Sequence, residues 1–187
     1  MFNHNHKVEN NKLRIVNVVA IFSLGRSINI EQLAKDIKYI ILPPNAFASG
    51  VGRFNNPPCV FSIFTTGKVL ITGLKKFSDA QLAAIHICNI IKTKIPDVCV
   101  SSFKITNSTF STFFGHPLNI GKIHQENINF ILNHKKKFPN IVIKSLKKKV
   151  SLTVFQSGKI NVVGAVDIDT AKQAYETRLS GLNNYIL

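Results

Sequence analysis

The sequence predicts an α+β fold built from two copies of one unit. Each copy is strand, helix, three strands and helix, with the helices on one side of an antiparallel sheet. Three observations lead there. The stretch Phe64-Thr-Thr-Gly-Lys-Val-Leu-Ile-Thr-Gly73 returns as Phe155-Gln-Ser-Gly-Lys-Ile-Asn-Val-Val-Gly164, with Phe, Gly, Lys and the final Gly matched at an offset of 91 residues. Each copy reads as an apolar strand, a tight turn and a second apolar strand. Outside these hairpins, the same order of β-branched runs and helix-start signals occurs twice.

The elements follow in order. Residues 1–12 are polar and are expected to form a disordered tail ahead of two repeats, 13–96 and 97–187. Arg14 to Phe22 is rich in Val and Ile and reads as a strand. Asn29 with Gln32 three residues on can cap a helix over 30–39, which Pro43 and Pro44 would end. Ala46 to Arg53 is a candidate strand, and Asn55-Asn-Pro-Pro58 a turn. Cys59 to Phe64 and Lys68 to Gly73 form the first hairpin about Gly67. Ser78 with Gln81 predicts a second capping box, opening a helix over 79–92 with Leu82, Ile85, Ile87, Ile90 and Ile91 as its apolar positions.

The second half repeats the order. Ser102 to Phe110 reads as a strand, and Leu118 to Leu132 carries helical spacing through Ile120, Ile123, Ile128, Ile131 and Leu132. Asn140 to Lys144 is a strand followed by a basic turn. Val150 to Phe155 and Ile160 to Val163 form the second hairpin about Gly158, and a last helix runs over 169–182.

Side chains alternate across a strand, so the hairpins define two faces. Cys59, Phe61 and Ile63 share one face, as do Val150, Leu152 and Val154. These are expected to pack beneath the helices. Val60, Ser62 and Phe64, and likewise Ser151, Thr153 and Phe155, fall on the other face. With helices on one side only, that second face has no cover within the chain and reads as a binding surface.

The charge suggests what binds. Twenty-four Lys and Arg against 9 Asp and Glu give a net charge of +15. That balance attracts a polyanion, and nucleic acid is the first candidate. No segment approaches the ~20 apolar residues of a membrane helix, and the polar N-terminus has no apolar signal core, so a soluble intracellular protein is expected. Cys59, Cys88 and Cys99 contain no C-x-x-C pair and read as buried thiols of a reducing compartment. Gly67-Lys68 and Gly158-Lys159 sit in hairpins without the G-x-x-x-x-G-K-[ST] phosphate-loop pattern. No His, Cys or Asp constellation suggests catalysis or a metal, and neither enzyme activity nor a cofactor is expected.

The spacing of particular residues carries a resemblance. Phe47 and Phe64 are 17 apart, Phe138 and Phe155 are 17 apart, Phe138-Pro139 forms a Phe-Pro pair, and Asn17 and Asn107 lie in the first strand of each half. In these residues the chain, from about Leu13 to its end, resembles the core of the TATA-box-binding protein family. The resemblance implies a saddle whose concave sheet lies on a widened minor groove and bends the duplex. In that family the paired phenylalanines wedge between base steps, a role the resemblance assigns to Phe47, Phe64, Phe138 and Phe155. It assigns minor-groove contacts to Asn17, Asn107, Val19, Thr109, Leu70, Thr72 and Val163, and phosphate contacts to Arg53, Lys68, Lys75, Lys144, Lys149 and Lys159.

The implied function is a transcription initiation factor on A·T-rich promoter DNA. It would act as a monomer with general initiation factors and RNA polymerase as partners and no membrane. The expected place is the nucleus, or the site of viral transcription in a host cell, since the abundance of Lys, Asn, Ile and Phe suggests an AT-rich genome. The chain also departs from the family pattern. Val163 stands where a threonine matching Thr72 is usual, Thr109 where an apolar residue is usual, and Asn140 where glycine follows Phe-Pro. Asn161 and Thr153 make the second half of the face more polar, and Lys135-Lys-Lys137 replaces an acidic turn. The alternative reading is a diverged saddle that serves as a protein-interaction scaffold without TATA readout.

Overall fold

A computed structural model describes residues 12–44, 49–126, 140–144 and 149–187, and the backbone of 131–133. The N-terminal tail to residue 11, Phe47, Phe138 and the basic turn Lys135–Lys137 lie outside these residues.

The elements in chain order are β1 (Arg14–Ser23), α1 (Ile30–Asp36), β2 (Ser49–Asn55), β3 (Pro58–Phe64), β4 (Lys68–Leu74), α2 (Ser78–Lys92), β5 (Ser101–Phe113), α3 (Ile120–Glu126), β6 (Ile131–Asn133), β7 (Asn140–Lys144), β8 (Ser151–Phe155), β9 (Lys159–Ala165) and α4 (Ile168–Leu179), followed by a 3-10 turn Ser180–Tyr185. The chain forms two compact units. In Val16–Ser108 the strand order is β2-β3-β4-β1-β5. In Thr109–Leu187, together with residues 12–15, it is β5-β9-β8-β7-β6. The long β5 contributes its first part to one unit and its last part to the other. The α+β class is as the sequence predicts; the first half follows the order strand, helix, three strands and helix, and the second adds the short strand β6 between α3 and β7.

Each unit buries one face of its sheet, and the buried residues are those that strand alternation selects. In the first unit Val18, Ala20, Phe22, Phe61, Ile63, Val69 and Ile71 are buried, joined by Ile30 and Leu33 of α1 and by Ala80, Ala83, Ala84, Ile87 and Ile91 of α2. In the second, Phe110, Ile141, Ile143, Leu152, Val154, Ile160 and Val162 are buried, joined by Ile120 and Ile123 of α3 and Ala171 and Tyr175 of α4. Full burial of each large apolar side chain stabilises by roughly 1.5–3 kcal/mol. Tyr175 carries its hydroxyl into this core. Burial pushes its phenol above the usual range, countered in part by a hydrogen bond with the buried Thr112.

Both hairpin turns are held the same way. Gly67 and Gly158 adopt φ of +79° and +85°, a region open to glycine at little cost. A Cβ at Gly67 would collide with the Arg26 carbonyl oxygen, and one at Gly158 with that of His116. The loop after the first strand can therefore lie directly on the turn. Leu24 N–H donates to Gly67 O at 2.9 Å and Ile28 N–H to Thr65 O at 2.8 Å. In the second unit Phe114 N–H donates to Gly158 O and Leu118 N–H to Gln156 O, both at 2.8 Å. The duplication seen in the letters is thus repeated in backbone hydrogen bonds.

Several expectations need correction. Helix α1 ends at Asp36 instead of running to Tyr39 and the two prolines. Its C-cap residue Ile37 turns extended, which brings Ile37 and Ile40 into the core and sets Tyr39 against the Phe54 ring, 6.4 Å between centroids. Asn29 does cap α1, accepting from Gln32 N–H at 3.0 Å, but the Gln32 side chain donates to Asp36 instead of closing the box. The second capping box does not form, because Ser78 is already helical and the N-cap is Phe77, without a side-chain cap bond. In α2 Ala80, Ala83, Ala84 and Cys88 face the core together with Ile87 and Ile91, while Leu82 and Ile85 stand exposed. Of the helix predicted over 118–132, Ile120–Glu126 is helical, residues 127–130 lie outside the described residues, and Ile131–Asn133 pairs as a strand with β7. Of the thiols, Cys59 and Cys88 are buried and Cys99 is exposed.

The glycine contacts generate a stability prediction. Gly67→Ala and Gly158→Ala are each expected to lower unfolding free energy by about 2 kcal/mol or more, combining left-handed strain with a backbone clash. Gly181→Ala, where a Cβ meets nothing within 4 Å, is expected to stay within about 0.5 kcal/mol. Urea unfolding of the three variants checks this, and equal midpoints would refute the contact's role.

Candidate nucleic-acid interface

The face opposite the helices keeps partial solvent exposure in both units. On β1 it carries Asn17, Val19, Ile21 and Ser23, alternating with the buried Val18, Ala20 and Phe22. The strand register places its residues in rows. Ser49 lies opposite Phe64; Val51, Ser62 and Leu70 form the next row, ending on Ile21; Arg53, Val60 and Thr72 form another. The second unit has the same grid. Asn140 lies opposite Phe155; Val142, Thr153 and Asn161 form the next row; Lys144, Ser151 and Val163 form another. Each grid position on β2, β3 and β4 corresponds to the residue 91 further on, on β7, β8 and β9. On β5, Asn107, Thr109 and Ser111 are half-buried and alternate with buried Ser108, Phe110 and Thr112.

Asn17 is held by a feature invisible in the letters. The β1–β4 register shifts between Val18 and Ala20, a bulge opposite Leu74 and Ile71. At that point Gly73, with φ of +89°, donates its N–H to Asn17 Oδ1 at 2.8 Å. The side-chain carbonyl is therefore occupied, and the amide NH2 is the end left for another acceptor. Asn in a strand interior is intrinsically disfavoured, and this bond supplies a structural reason for it here.

The basic residues stand at the margins of the grid. Arg53 and Lys144 occupy equivalent row ends and are exposed. Lys68 and Lys159 follow the two turn glycines and are exposed at the first residue of β4 and β9. Lys149 is exposed ahead of β8. Lys75 is exposed as well, with its ammonium donating to the Val16 carbonyl at 3.0 Å. Arg26 is spent differently, in an ion pair with Asp97. Among the described residues no cluster of His, Cys, Asp or Glu could hold a metal, and no helix is long and apolar enough to cross a membrane.

The structure thus brings Asn17, Val19, Leu70, Thr72 and Phe64 onto the open face of the first unit and Thr109, Val163 and Phe155 onto the open face of the second, with Asn107 half-buried on the part of β5 that belongs to the first unit. Reasoning from spacing missed Val51, Val142, Ile21 and Ser111, which share these faces. Strand parity counted from Asn17 and from Phe64 through its pairing would have found them.

Comparison with known proteins bears on this geometry. Residues 12–94 and 102–185 each match the family model described as Transcription factor TFIID (or TATA-binding protein, TBP). The TATA-box-binding protein of Tetrahymena thermophila is 28% identical over 172 residues, covering 92% of this chain and 70% of its own. That of Archaeoglobus fulgidus is 30% identical over 170 residues, covering 88% of this chain and 91% of its own. The solved structure of the Methanococcus jannaschii TBP superposes with a TM-score of 0.78 at 27% identity, covering 92% of this chain and 99% of that one.

The Asn17 bond yields a test of local structure. Asn17→Ala removes the acceptor and is expected to cost about 1 kcal/mol, read as faster amide hydrogen exchange at Gly73. Asn17→Asp keeps an acceptor and is expected to retain protection at Gly73. Unchanged exchange in Asn17→Ala would mean the bond does not hold the bulge.

Proposed function

The chain belongs to the TATA-binding protein family, and from that premise we propose that it is a DNA-binding transcription initiation factor. It grips A·T-rich promoter DNA in the minor groove and bends it by phenylalanine wedging. One observation carries the reading furthest. Phe64 and Phe155 sit at equivalent strand ends on half-exposed faces, each followed within four residues by an exposed lysine, Lys68 or Lys159. An aromatic ring on a rigid strand end can enter a base step, and a cation beside it can neutralise the phosphates that the opening brings near. Phe47 and Phe138 complete each pair by their spacing in the sequence.

The remaining roles follow from chemistry. A·T pairs present only acceptors in the minor groove, adenine N3 and thymine O2. The amide of Asn17 donates to them, its carbonyl being held by Gly73, and Asn107 has the matching place on β5. Val19, Leu70, Thr72, Thr109 and Val163 press on the groove floor. Arg53, Lys68, Lys75, Lys144, Lys149 and Lys159 bind phosphates, and a net charge of +15 makes attraction to the duplex long-ranged and salt-dependent. Bending favours sequences with flexible pyrimidine–purine steps. The protein acts as a monomer on DNA, in the nucleus, with general initiation factors and RNA polymerase as partners. No catalytic step is assigned to it.

Two measurements test the proposal. Duplex binding with a bend readout should give a bent A·T-rich probe, and Phe138→Ala with Phe155→Ala should lower both affinity and bend angle. An unbent probe, or affinity unchanged in the double variant, would sink the wedging reading. Separately, Lys149→Ala is expected to weaken binding to all sequences alike and to flatten the slope of log affinity against log salt by about 1. A change in sequence preference instead would place Lys149 at a base edge and away from a phosphate.

A further inference from the structure

The two open faces share one grid and differ in chemistry. Where the first repeat has Val19, Val60 and Leu70, the second has Thr109, Ser151 and Asn161 at matching positions, the last two fixed by strand register. The Leu70-to-Asn161 exchange is the most consequential. Leu70 is half-buried on the open side of β4 and offers only methyl groups. Asn161 is half-buried on the open side of β9 and offers an amide. Its Oδ1 is shielded from water and has no hydrogen-bond partner within the protein. An unpaired acceptor of this kind is costly in a native protein and calls for an explanation. Rotation about the broad final torsion of asparagine can turn the same acceptor outward.

The minor groove contains one donor that such an acceptor can use. A·T and T·A pairs show acceptors alone, and a G·C pair adds the guanine N2 amino group. A leucine pressed on that amino group buries it without a partner and crowds it. An asparagine at the same grid position can accept its hydrogen. We propose that Asn161 makes the second-repeat half of the DNA site tolerant of a G·C pair, while Leu70 keeps the first-repeat half restricted to A·T. The bound site is then asymmetric, and the asymmetry sets the direction in which this protein sits on a promoter. The proposal rests on the reading of these faces as minor-groove surfaces, and extends it to a specificity-determining residue.

The test uses the full chain and symmetric A·T-core duplexes with a G·C pair in neither half, in one half, or in both. A protein with one tolerant half can turn to meet a single G·C pair but cannot satisfy two. The one-half probe should therefore bind within about threefold of the all-A·T probe, and the both-halves probe roughly tenfold or more weaker. Asn161→Val should bind the one-half probe as poorly as wild type binds the both-halves probe. Leu70→Asn, which keeps Asn161, should recover binding to the both-halves probe. Replacing guanine by inosine, which lacks the N2 amino group, should restore binding wherever it was lost. Equal loss on one-half and both-halves probes in the wild type, or no effect of either substitution, overturns the inference while leaving minor-groove binding intact. Failure to bind any of the duplexes, with the fold verified by circular dichroism, overturns the proposed function and this inference with it.

Discussion

The architecture depends on one close backbone approach, made twice. A glycine at each hairpin turn, Gly67 and Gly158, takes a left-handed conformation and leaves no side chain between the turn and the loop that follows the first strand. The loop's N–H groups then donate directly to the turn carbonyls. Loop closure is expensive in chain entropy, and these bonds join segments about 40 residues apart. They align β1 with its hairpin, and thereby determine which residues of three strands share a row. They also place a phenylalanine before the turn and a lysine after it at a constant position in both units.

From that alignment follows a division of labour between the two sides of each sheet. One side is a tightly filled apolar layer in which small helix residues, Ala80, Ala83 and Ala84, allow close contact with the strands. The rigidity of that layer serves the opposite side. In the proposed role, a side chain that is to open a base stack, or to reach a hydrogen-bond acceptor at a groove floor, needs a support that does not yield. The bulge beside Asn17 belongs to the same logic. It interrupts the β1–β4 ladder, and the orphaned Gly73 N–H then fastens the asparagine carbonyl, so that the amide end is presented in one orientation.

Much of this was legible in the letters, for identifiable reasons. A strand has a period of two, so the parity of Phe61 against Ser62, or of Leu152 against Thr153, sorts buried from open residues without any coordinates, and the burial agrees. The turns were legible because Gly-Lys after a Phe-led strand recurs at a fixed offset. Helices were harder. Of the apolar positions that spacing suggested for α2, Ile87 and Ile91 are buried, but Leu82 and Ile85 stand exposed, and Ala80, Ala83, Ala84 and Cys88 fill the rest of the packed face. Prolines suggested where α1 ends, yet it ends seven residues before Pro43, because Ile37 and Ile40 reach the core only if the chain turns extended. The helical spacing over 118–132 overran into a strand at Ile131–Asn133, since a short apolar run fits either period.

By itself the sequence determined the duplication, the α+β class, the assignment of strand residues to two faces, the surplus of positive charge and the family likeness carried by Phe pairs 17 apart and by an Asn in the first strand of each half. All of these are periodic or compositional properties, which a linear string preserves. The tertiary structure alone decided which residues of different strands stand side by side, that Asn17 is pinned by Gly73, that Lys75 leans on the Val16 carbonyl, and that Asn161 holds the grid position of Leu70 with its carbonyl unpartnered. The physical reason is that register and hydrogen-bond partnership arise between segments far apart in the chain, where neither period nor composition carries the information.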